Sequence, residues 1–463
     1  MVSYFFPPTG GVGVQRTLKF VRNLRAEGWR SIVVTPADPA YPVRDLGLSA
    51  EIPDDTEVVW TACPEPAGLA GSLAGSLAGS LVGSLAGLLG RRGATAGSAR
   101  AEASADSAAR GRRRAGPFRA ALRTGGRWWT RLARVFLFPD DQVLWWPFAA
   151  RAGRRAHARH AVDAIFSSSP PFTSHLIGRS LRRTTGRPWI ADFRDPWIGN
   201  AFAPTLARPK RGLQAWLERR VVEEADRVVV ASPSMEAAFR ERYPQRAGQI
   251  VCIPNGYDRS DLHGIVPVPR EAGVFTIVYA GSIYGDRELR LFLDGVERLL
   301  ERRPDLRTRL RIEFVGRINV ANQGIGAEYA TPARLGKIVS FTGFLPRREA
   351  FARMRSADAL LQLIADDPGK GAFVGTKTLE SLAFDLPILA VVPPGDARAL
   401  LEELDWGFIA DPEPGSVADG IERLLSAPRP DRQADPERRY DRVTQARRLA
   451  GLLDKILAEA CKC

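Results

Sequence analysis

"FFPPTGGVGVQRTLKFVRNL", residues 5–24, places three glycines within four positions, between a short apolar run and an amphipathic stretch. The apolar run, residues 2–6, predicts a short buried strand, and Leu18, Val21 and Leu24 recur at helical spacing. A glycine-rich turn between a strand and a helix lets a phosphate or a sugar approach main-chain N–H groups. The pattern is compatible with such a binding turn and also with a tight packing turn that holds no ligand.

A nicotinamide-binding fold is one explanation of these glycines, but the sequence departs from its motif. Gly11 and Gly13 are followed by Arg16, where the third glycine of G-x-G-x-x-G would stand. In addition, no acidic residue closes the second predicted strand, residues 31–36, where a ribose would need an acceptor. The sequence therefore disfavours a nicotinamide-dependent enzyme.

Length and composition predict a soluble protein with two domains. A chain of 463 residues is longer than one ordinary core, and 45% of it is hydrophobic. The four cysteines have no metal-binding or redox spacing, so we expect no metal site and a reducing cytoplasm. The chain begins directly in a predicted strand without a signal-type leader, and we expect the true start to lie upstream.

The net charge of +14 comes mostly from one segment. Residues 91–134 contain twelve arginines against Glu102 and Asp106, which accounts for +10 of the total. A local arginine cluster suits an anionic membrane surface or a disordered tether better than a DNA-reading face. No nucleic-acid-binding motif accompanies it, so we expect no nucleic-acid partner.

Residues 68–90 repeat every four positions and contain no charge. We interpret residues 66–116 as a low-complexity insertion in a surface loop, with a membrane-lying amphipathic helix and a membrane span as alternatives. The following stretch, residues 127–156, contains four of the ten tryptophans among arginines. These tryptophans suit a bilayer surface, a sugar-binding wall or plain core packing.

From residue 161 onward, apolar strand patterns alternate with amphipathic helix patterns in two successive series. This alternation predicts an α/β protein with two Rossmann-like, doubly wound parallel sheets that bind ligands at the carboxyl ends of their strands. We place the first domain at residues 1–265 and the second at 272–435, joined near 259–273. Residues 436–463 are expected to form a helix that braces the first domain.

Six stretches carry a family resemblance: "YFFPPTGGVGVQRTLKF", "FSSSPPFTSHLIG", "ADFRDPW", "IPNGYD", "YAGS" and "GTKTLESLAFDLPILA". In this order they resemble glycosyltransferase family 4, of the GT-B fold, in which two Rossmann-like domains face a cleft. The resemblance implies a metal-independent, retaining hexosyltransferase that needs no cofactor besides its co-substrate, a UDP- or GDP-linked nucleotide-sugar. The acceptor would be a lipid-linked, cell-envelope or exopolysaccharide glycan, and the protein would be cytoplasmic or peripheral at the inner face of the cell membrane.

The resemblance also implies where the donor binds in the second domain. Glu380 is expected to accept hydrogen bonds from the ribose hydroxyls. The family's other glutamate would fall at Ala372, so that carboxylate is missing unless Asp366 or Asp367 replaces it. Main chain around Gly343, in "TGFLP", would hold the base.

For the donor's diphosphate, the resemblance implies residues of two strand–helix turns: Gly281, Arg287, Gly375, Thr376 and Lys377. Ser282 stands where the family carries an arginine, so Arg317 or Arg16 is a candidate substitute. Lys377 and Arg287 have a simpler alternative explanation as solvated residues at helix starts.

In the first domain, the backbone amides of Gly10, Gly11 and Gly13 would approach the leaving phosphate, where negative charge develops. The candidate catalytic residues are His175, Asp192, Arg194 and Asp195, which follow strands at the expected site. We expect His175 to hydrogen-bond the donor or acceptor sugar, and Asp195 or Asp192 to orient the acceptor hydroxyl. Alternatively, the histidine is structural and an ion pair between Arg194 and Asp195 only shapes the loop. In this kind of transfer the leaving phosphate can itself take the acceptor's proton.

Two other functions remain open at this level. A nucleotide-sugar 2-epimerase would use the same fold and would convert the donor without an acceptor. A catalytically impaired nucleotide-sugar-binding or scaffold protein would explain Ala372 and Ser282, and it would bind nucleotide without transferring or hydrolysing the sugar.

Overall fold

The computed structural model describes residues 1–39, 44–65, 137–200, 208–283, 286–316, 323–331, 333–364, 374–427 and 431–461. These residues form two parallel β-sheets. The first sheet consists of β1 (Val2–Ser3), β2 (Ile32–Pro36), β3 (Glu57–Thr61), β4 (Ile165–Ser169), β5 (Trp189–Phe193), β6 (Arg227–Val230) and β7 (Ile250–Cys252). The second consists of β8 (Phe275–Ala280), β9 (Leu310–Val315), β10 (Val339–Gly343), β11 (Ala359–Leu363), β12 (Ile388–Val391) and β13 (Phe408–Ala410).

Both sheets are doubly wound: the first strand of each domain lies inside its sheet, and the chain adds strands first on one side of it and then on the other. The first sheet is ordered β3-β2-β1-β4-β5-β6-β7, and the second is ordered β10-β9-β8-β11-β12-β13. Every strand pair is parallel, for example Val2 opposite Val34 and Leu360 opposite Ile388. The predicted α/β class with two Rossmann-like parallel-sheet domains is confirmed.

Helices cover the faces of the sheets, as parallel strands require. In the first domain they are α1 (Val12–Leu24), α2 (Trp146–His160), α3 (Thr173–Thr185), α4 (Arg208–Glu224) and α5 (Pro233–Arg242). In the second domain they are α6 (Asp286–Arg302), α7 (Leu306–Arg309), α8 (Gln323–Tyr329), α9 (Arg347–Ser356), α10 (Thr376–Leu382), α11 (Asp396–Glu403) and α12 (Pro414–Ser426). A last helix, α13, spans Arg442–Ala460.

Helix α13 returns from the second domain and packs on the first. Leu449 and Leu453 of α13 lie in one buried cluster with Phe20 and Leu24 of α1. This cluster also contains Ile190 of β5, so the helix covers the first sheet as well as α1. The apolar stripe of α1 that the sequence shows at helical spacing is therefore shared between the sheet and α13.

The two chain segments that connect the domains are hydrogen-bonded to each other. The Tyr257 amide donates to the Tyr440 carbonyl at 3.0 Å, and the Arg442 amide donates to the Tyr257 carbonyl at 2.9 Å. A Cβ at Gly256 would overlap the Tyr440 carbonyl, so only glycine permits this approach. The segment "IPNGYD" is thus part of the connection between the domains.

The predicted insertion at 66–116, together with Trp128 and Trp129, lies outside the described residues. Of the other two tryptophans in that arginine-rich stretch, Trp145 is fully buried and donates from Nε1 to Thr61 Oγ1 at 2.7 Å. Trp146, in contrast, is 38% exposed. Within the described part of the chain, no helix has the length and apolarity needed to cross a membrane.

Candidate active site

The loops at the carboxyl ends of the two sheets face each other. The strand order reverses between β1 and β4 in the first sheet, and between β8 and β11 in the second. Such reversals open crevices where α/β sheets bind ligands. The two edges touch where Ser234, after β6, donates from Oγ to Asp396 Oδ2, after β12, at 2.6 Å. The candidate site therefore lies between the carboxyl edges of the two sheets.

The glycine-rich turn lies at the end of residues 4–11, which connect β1 to α1. Gly11 precedes the first residue of α1 with a φ of 91°, which favours glycine, and Gly10 is buried in the same turn. A Cβ at Gly13 would lie 3.2 Å from the Phe5 ring, tighter than ordinary packing. Gly13 is thus explained by packing against Phe5, and a role of this turn in approaching a phosphate stays a prediction.

Arg194 joins three loops at the edge of the first sheet. Its guanidinium donates to the carbonyl of Ser169 at 2.7 Å, to that of Pro170 at 3.1 Å and to that of Gly13. Ser169 is the last residue of β4, Pro170 follows it and Gly13 lies in the first turn of α1, while Arg194 itself follows β5. Arg194 therefore holds together the loops on which the candidate site is built.

Asp195 is half-buried beside this arginine, but no ion pair joins Arg194 to Asp195 among the described residues. Burial raises the pKa of the Asp195 carboxyl, and the nearby charge of Arg194 opposes that rise. Its carboxylate has no hydrogen-bond partner in the described part of the chain. Asp195 is thus available to a ligand hydroxyl.

Asp192 lies deeper and already has partners. It is fully buried and pairs with Arg16, whose Nη2 lies 2.7 Å from Asp192 Oδ1. Ser168 Oγ donates to the second carboxylate oxygen at 2.7 Å. Arg16 also donates to the carbonyls of Ile253 and Pro254. The charge of Asp192 is therefore used to fix α1 onto β5 and the end of β7, and a role in orienting the acceptor stays a prediction.

His175 is the third residue of α3, in its first turn, and is fully buried. Its Nδ1 is 2.9 Å from Ser167 Oγ, and its ring centre is 4.3 Å from that of Phe193. Burial lowers the pKa of His175 to about 3; Asp192 opposes this decrease and Arg194 adds to it. The imidazole is therefore neutral at physiological pH. Its Nε2 has no hydrogen-bond partner among the described residues.

Three glycines continue the strands of the second sheet towards the cleft. The Gly281 amide donates to Val315 at 2.7 Å, and the Gly316 amide donates to Gly343 at 2.9 Å. Gly281 and Gly316 have φ values of 145° and 143°, which only glycine adopts readily. A Cβ at Gly316 would overlap the Gly281 carbonyl. We did not predict Gly316 as a site residue, although it directly follows a buried strand.

Lys377 extends from α10 across this glycine turn. Its Nζ donates to the Ser282 carbonyl at 2.9 Å and to Tyr279 Oη at 3.2 Å. Desolvation lowers the pKa of Lys377 to about 8, and the charge of Glu380 opposes this decrease. A Cβ at Gly281 would overlap the Lys377 side chain. Lys377 is thus positioned by the site and is not a solvated surface lysine.

The remaining predicted diphosphate residues are less enclosed. Arg287 is exposed at the start of α6, Gly375 is exposed just before α10, and Thr376 is the first residue of that helix. Arg317, Asp366, Asp367 and Ala372 lie outside the described residues. In the part of the chain that the structure describes, no cluster of histidine, cysteine and acidic side chains has an arrangement suited to a metal ion.

Glu380 belongs to a chain of charged side chains that reaches the first domain. Its Oε1 accepts from Arg347 Nη1 at 3.0 Å, and Arg347 Nη2 donates to Asp261 Oδ2 at 2.9 Å. The other oxygen of Asp261 accepts from Lys19 Nζ of α1 at 2.6 Å. We did not predict Arg347, although it opens the helix that follows the "TGFLP" loop. The predicted ribose residue is therefore held in place by an arginine and linked to the helix after the glycine-rich turn.

Comparisons with known proteins agree with this arrangement. The model described as "Glycosyltransferase Family 4" matches residues 99–261, and the model "Glycosyl transferases group 1" matches residues 274–427. A curated relative, D-inositol 3-phosphate glycosyltransferase of Nocardiopsis dassonvillei, is 25% identical over 223 residues, which are 46% of this chain and 50% of the relative. The chain thus spans about half the length of this relative.

Two solved structures show the same fold at low identity. Sucrose-phosphate synthase from Thermosynechococcus elongatus has a TM-score of 0.54 at 16% identity, over 100% of this chain and 96% of that one. A glycosyltransferase from Rickettsia africae has a TM-score of 0.56 at 13% identity, over 96% and 94%. The fold is GT-B, with one family model matched on each of its two sheets. The two models together assign the chain to the glycosyltransferases, by Glycosyltransferase Family 4 at residues 99–261 and by the group 1 glycosyl transferases at residues 274–427.

Proposed function

We propose that the protein is a retaining glycosyltransferase that moves a sugar from a nucleotide-diphosphate sugar to an acceptor held by the first domain. The observation that carries this proposal is the position of Lys377, a desolvated cation held on the Gly281–Ser282 turn and one helical turn from Glu380. A diphosphate at this turn would meet a positive charge and close-packed glycine backbone.

The donor would lie along the carboxyl edge of the second sheet. Glu380, held by Arg347, would accept from the ribose hydroxyls, and the backbone near Gly343 would contact a uracil or guanine base. Lys377 would supply the cation that the family places at position 282, since its Nζ lies against the Ser282 carbonyl. The chain would therefore balance the diphosphate charge with a side chain from α10, the helix after β11, which is the strand beside β8.

In the reaction, the acceptor oxygen would form a bond to the anomeric carbon as the bond from that carbon to the phosphate oxygen breaks. The acceptor's proton would go to the departing phosphate oxygen on the same face of the sugar, without a metal ion. Asp195, half-buried and without a hydrogen-bond partner among the described residues, would orient the acceptor hydroxyl. Arg194 would act indirectly, since it positions the loops around this carboxylate.

The test is a thermal-shift screen with UDP, GDP, ADP and their sugar conjugates on the wild type, Glu380→Gln and the control Glu349→Gln, which alters an exposed carboxylate of α9. A ligand at 100 times its Kd stabilises the native state by about 2.7 kcal/mol. We expect one nucleotide series to stabilise the wild type and the control, but not Glu380→Gln. No stabilisation of the wild type by any of these nucleotides would contradict the donor site.

Turnover assays separate this proposal from its two alternatives. Transfer that requires an acceptor supports the glycosyltransferase. Conversion of the donor sugar without an acceptor would indicate a 2-epimerase, and nucleotide binding without transfer or hydrolysis would indicate a scaffold. The substitution of the family's arginine by Ser282 favours the scaffold only if Lys377 does not supply the missing charge.

We further propose that the acceptor is a lipid-linked or cell-envelope glycan reached at an anionic membrane surface. Trp146 and Phe148, exposed at the start of α2, follow the arginine-rich residues 91–134 in the chain. Aromatic and cationic side chains together favour such surfaces. Deletion of residues 66–116, which carry seven of the twelve arginines of that segment besides the repeats, should reduce sedimentation with anionic liposomes at low salt. Unchanged sedimentation would exclude the insertion from this role.

A further inference from the structure

We propose that Ser167 fixes His175 as a neutral imidazole protonated on Nε2, so that this histidine donates a hydrogen bond to a substrate oxygen and does not act as a base. Ser167 is then a positioning residue for the site. The identity of the substrate oxygen, a sugar hydroxyl, rests on the proposed function, whereas the protonation of the ring does not.

Among the described residues, the buried hydroxyl of Ser167 has only a few groups within hydrogen-bonding distance. Ser167 is fully buried, and its Oγ has two neighbours, Trp189 Nε1 at 2.9 Å and His175 Nδ1 at 2.9 Å. An indole N–H can only donate, so it occupies one lone pair of Oγ. No other hydrogen bond of Ser167 exists in the described part of the chain. The hydroxyl proton therefore has one available acceptor, the lone pair of His175 Nδ1.

The opposite arrangement leaves a buried donor without a partner. If Nδ1 carried the proton, Ser167 Oγ would receive two N–H groups and its own O–H would have no acceptor. A buried donor without a partner suffers its full desolvation penalty. In the ligand-free protein Nε2 has no partner among the described residues in either form, so the stranded Ser167 hydroxyl is the difference between the two forms. Its penalty corresponds to a preference of about 5- to 150-fold for the Nε2–H form.

Gly178 of α3 makes this arrangement possible. A Cβ at this position would lie 2.6 Å from Trp189 Nε1 and 2.8 Å from Ser167 Oγ. Any larger residue would push the indole away from the hydroxyl. The glycine thus allows the helix to approach β4 and β5 closely enough for Trp189 to occupy the competing lone pair of Ser167.

The charged form of the ring does not compete with the neutral one. The ionisable groups in electrostatic range are Asp192, which favours the imidazolium, and Arg194, which disfavours it. Asp192 is already paired with Arg16. Burial is the largest effect and lowers the pKa of His175 to about 3, so the ring stays neutral across the working range.

The Nε2–H group is the end of the ring that a ligand can use. Nε2 is buried without a partner, and so is the Oγ of Ser169. Ser169 lies on the same face of β4 as Ser167, two residues closer to the carboxyl edge, because side chains alternate along a strand. Ser169 ends β4 and His175 lies in the first turn of α3, so both unpartnered atoms lie at the carboxyl edge of the first sheet, beside the cleft. A sugar hydroxyl is an acceptor that would satisfy Nε2–H.

The proton of the acceptor hydroxyl cannot go to His175. A neutral imidazole that carries its proton on Nε2 has no free lone pair to offer there, so it cannot take the acceptor's proton. The proton must go elsewhere, which agrees with transfer to the departing phosphate oxygen. His175 then contributes orientation and polarity, and the pH dependence of turnover should show no histidine titration.

The tautomer can be measured directly by NMR on the full-length protein labelled with ¹⁵N-histidine. The chain has only four histidines, so His175→Gln assigns the signal of His175. We expect a protonated Nε2 and an unprotonated Nδ1, unchanged between pH 5 and pH 8. A protonated Nδ1, or titration of His175 in this range, would overturn the proposal. This measurement on the wild type depends neither on a foldable variant nor on enzymatic activity.

A pair of serine variants tests the role of Ser167. Ser167→Ala should lower the excess of the Nε2–H form at least about fivefold, because the stranded hydroxyl no longer penalises the other tautomer. The control Ser180→Ala alters a half-buried serine of α3 and should leave the tautomer unchanged. An unaltered tautomer ratio in Ser167→Ala would show that Ser167 does not set it.

Kinetics identify which sugar accepts the hydrogen bond. His175→Gln retains a side-chain N–H donor and should keep at least tenfold more activity than His175→Ala. A change confined to the KM of the donor assigns the bond to the transferred sugar, and a change confined to the acceptor's KM assigns it to the acceptor. Equal activity of His175→Gln and His175→Ala would show that His175 donates no hydrogen bond to the substrate. Absence of activity in the wild type contradicts the proposed function and leaves the NMR result to decide the tautomer.

Discussion

Replacing Asp192 with alanine is expected to lower the free energy of unfolding by about 3–5 kcal/mol, because it leaves a buried arginine without its counter-charge. Asp192 is fully buried and Arg16 is 1% exposed, so water cannot replace the lost carboxylate. Arg16 would keep only its bonds to the carbonyls of Ile253 and Pro254. Urea unfolding followed by circular dichroism gives the midpoint and slope that measure this loss.

Asp195, three residues further along the same motif, provides the matched control. Its carboxylate is half-buried and has no hydrogen-bond partner among the described residues, so Asp195→Ala should leave stability nearly unchanged. If Asp195 orients the acceptor, the same variant should lose turnover.

A double replacement, Arg16→Met with Asp192→Leu, should recover much of the stability lost in Asp192→Ala, because no charge remains unpaired. Wild-type stability of Asp192→Ala would contradict the role assigned to the ion pair.

This pair of carboxylates shows what the sequence could and could not predict. The stretch "DFRDPW" places charges at the end of a buried strand, which correctly marks an unusual position. Sequence spacing does not reveal that one carboxylate is paired with Arg16, 176 residues away. In the sequence, Arg16 breaks a dinucleotide motif and is a candidate cation for the diphosphate, but in the structure it is buried and paired with Asp192. Its actual partner becomes visible only when α1 is packed against β5.

The fold was easier to predict than the site because its signals are local. Alternating strand and helix patterns indicate two doubly wound sheets, and glycines after the strands indicate their carboxyl edges. The links between Glu380, Arg347 and Asp261 depend on three different segments that meet near the domain connection. No periodicity or motif brings those segments together. The same holds for Ser167 and Trp189, whose contact determines the protonation of His175.

Replacing Lys377 with methionine is expected to lower turnover by about 100- to 1000-fold, the usual effect of removing a group that stabilises developing charge. In the proposed reaction, negative charge grows on the phosphate beside the Gly281–Ser282 turn, where the Lys377 ammonium lies. Lys377→Arg keeps the charge and should retain part of the activity. Lys337→Met removes an exposed lysine of the same domain and should have no effect. Steady-state kinetics at pH 7 with saturating donor measures these differences.

Lys377→Met should raise the stability of the ligand-free protein, although it lowers turnover. Desolvation lowers the pKa of Lys377 from 10.5 to about 8, so below pH 8 the folded state holds a cation in an unfavourable environment. Between about pH 8 and 10.5 the unfolded state binds more protons than the folded state, and this lysine's contribution to stability therefore rises with pH. Lys377→Met should be more stable than the wild type at pH 7, and the difference should shrink as the pH rises through this window.

A nucleotide diphosphate should reverse that order, because its charge favours the ammonium form of Lys377 in the complex. The wild type should gain more thermal stability than Lys377→Met from the same concentration of nucleotide, and this extra gain should decrease as the pH rises above 8. If Lys377 had a purely structural role, its replacement would lower the stability of the protein, and the size of this loss would not depend on nucleotide. A residue that destabilises the free protein but stabilises its complex is one whose charge serves the ligand.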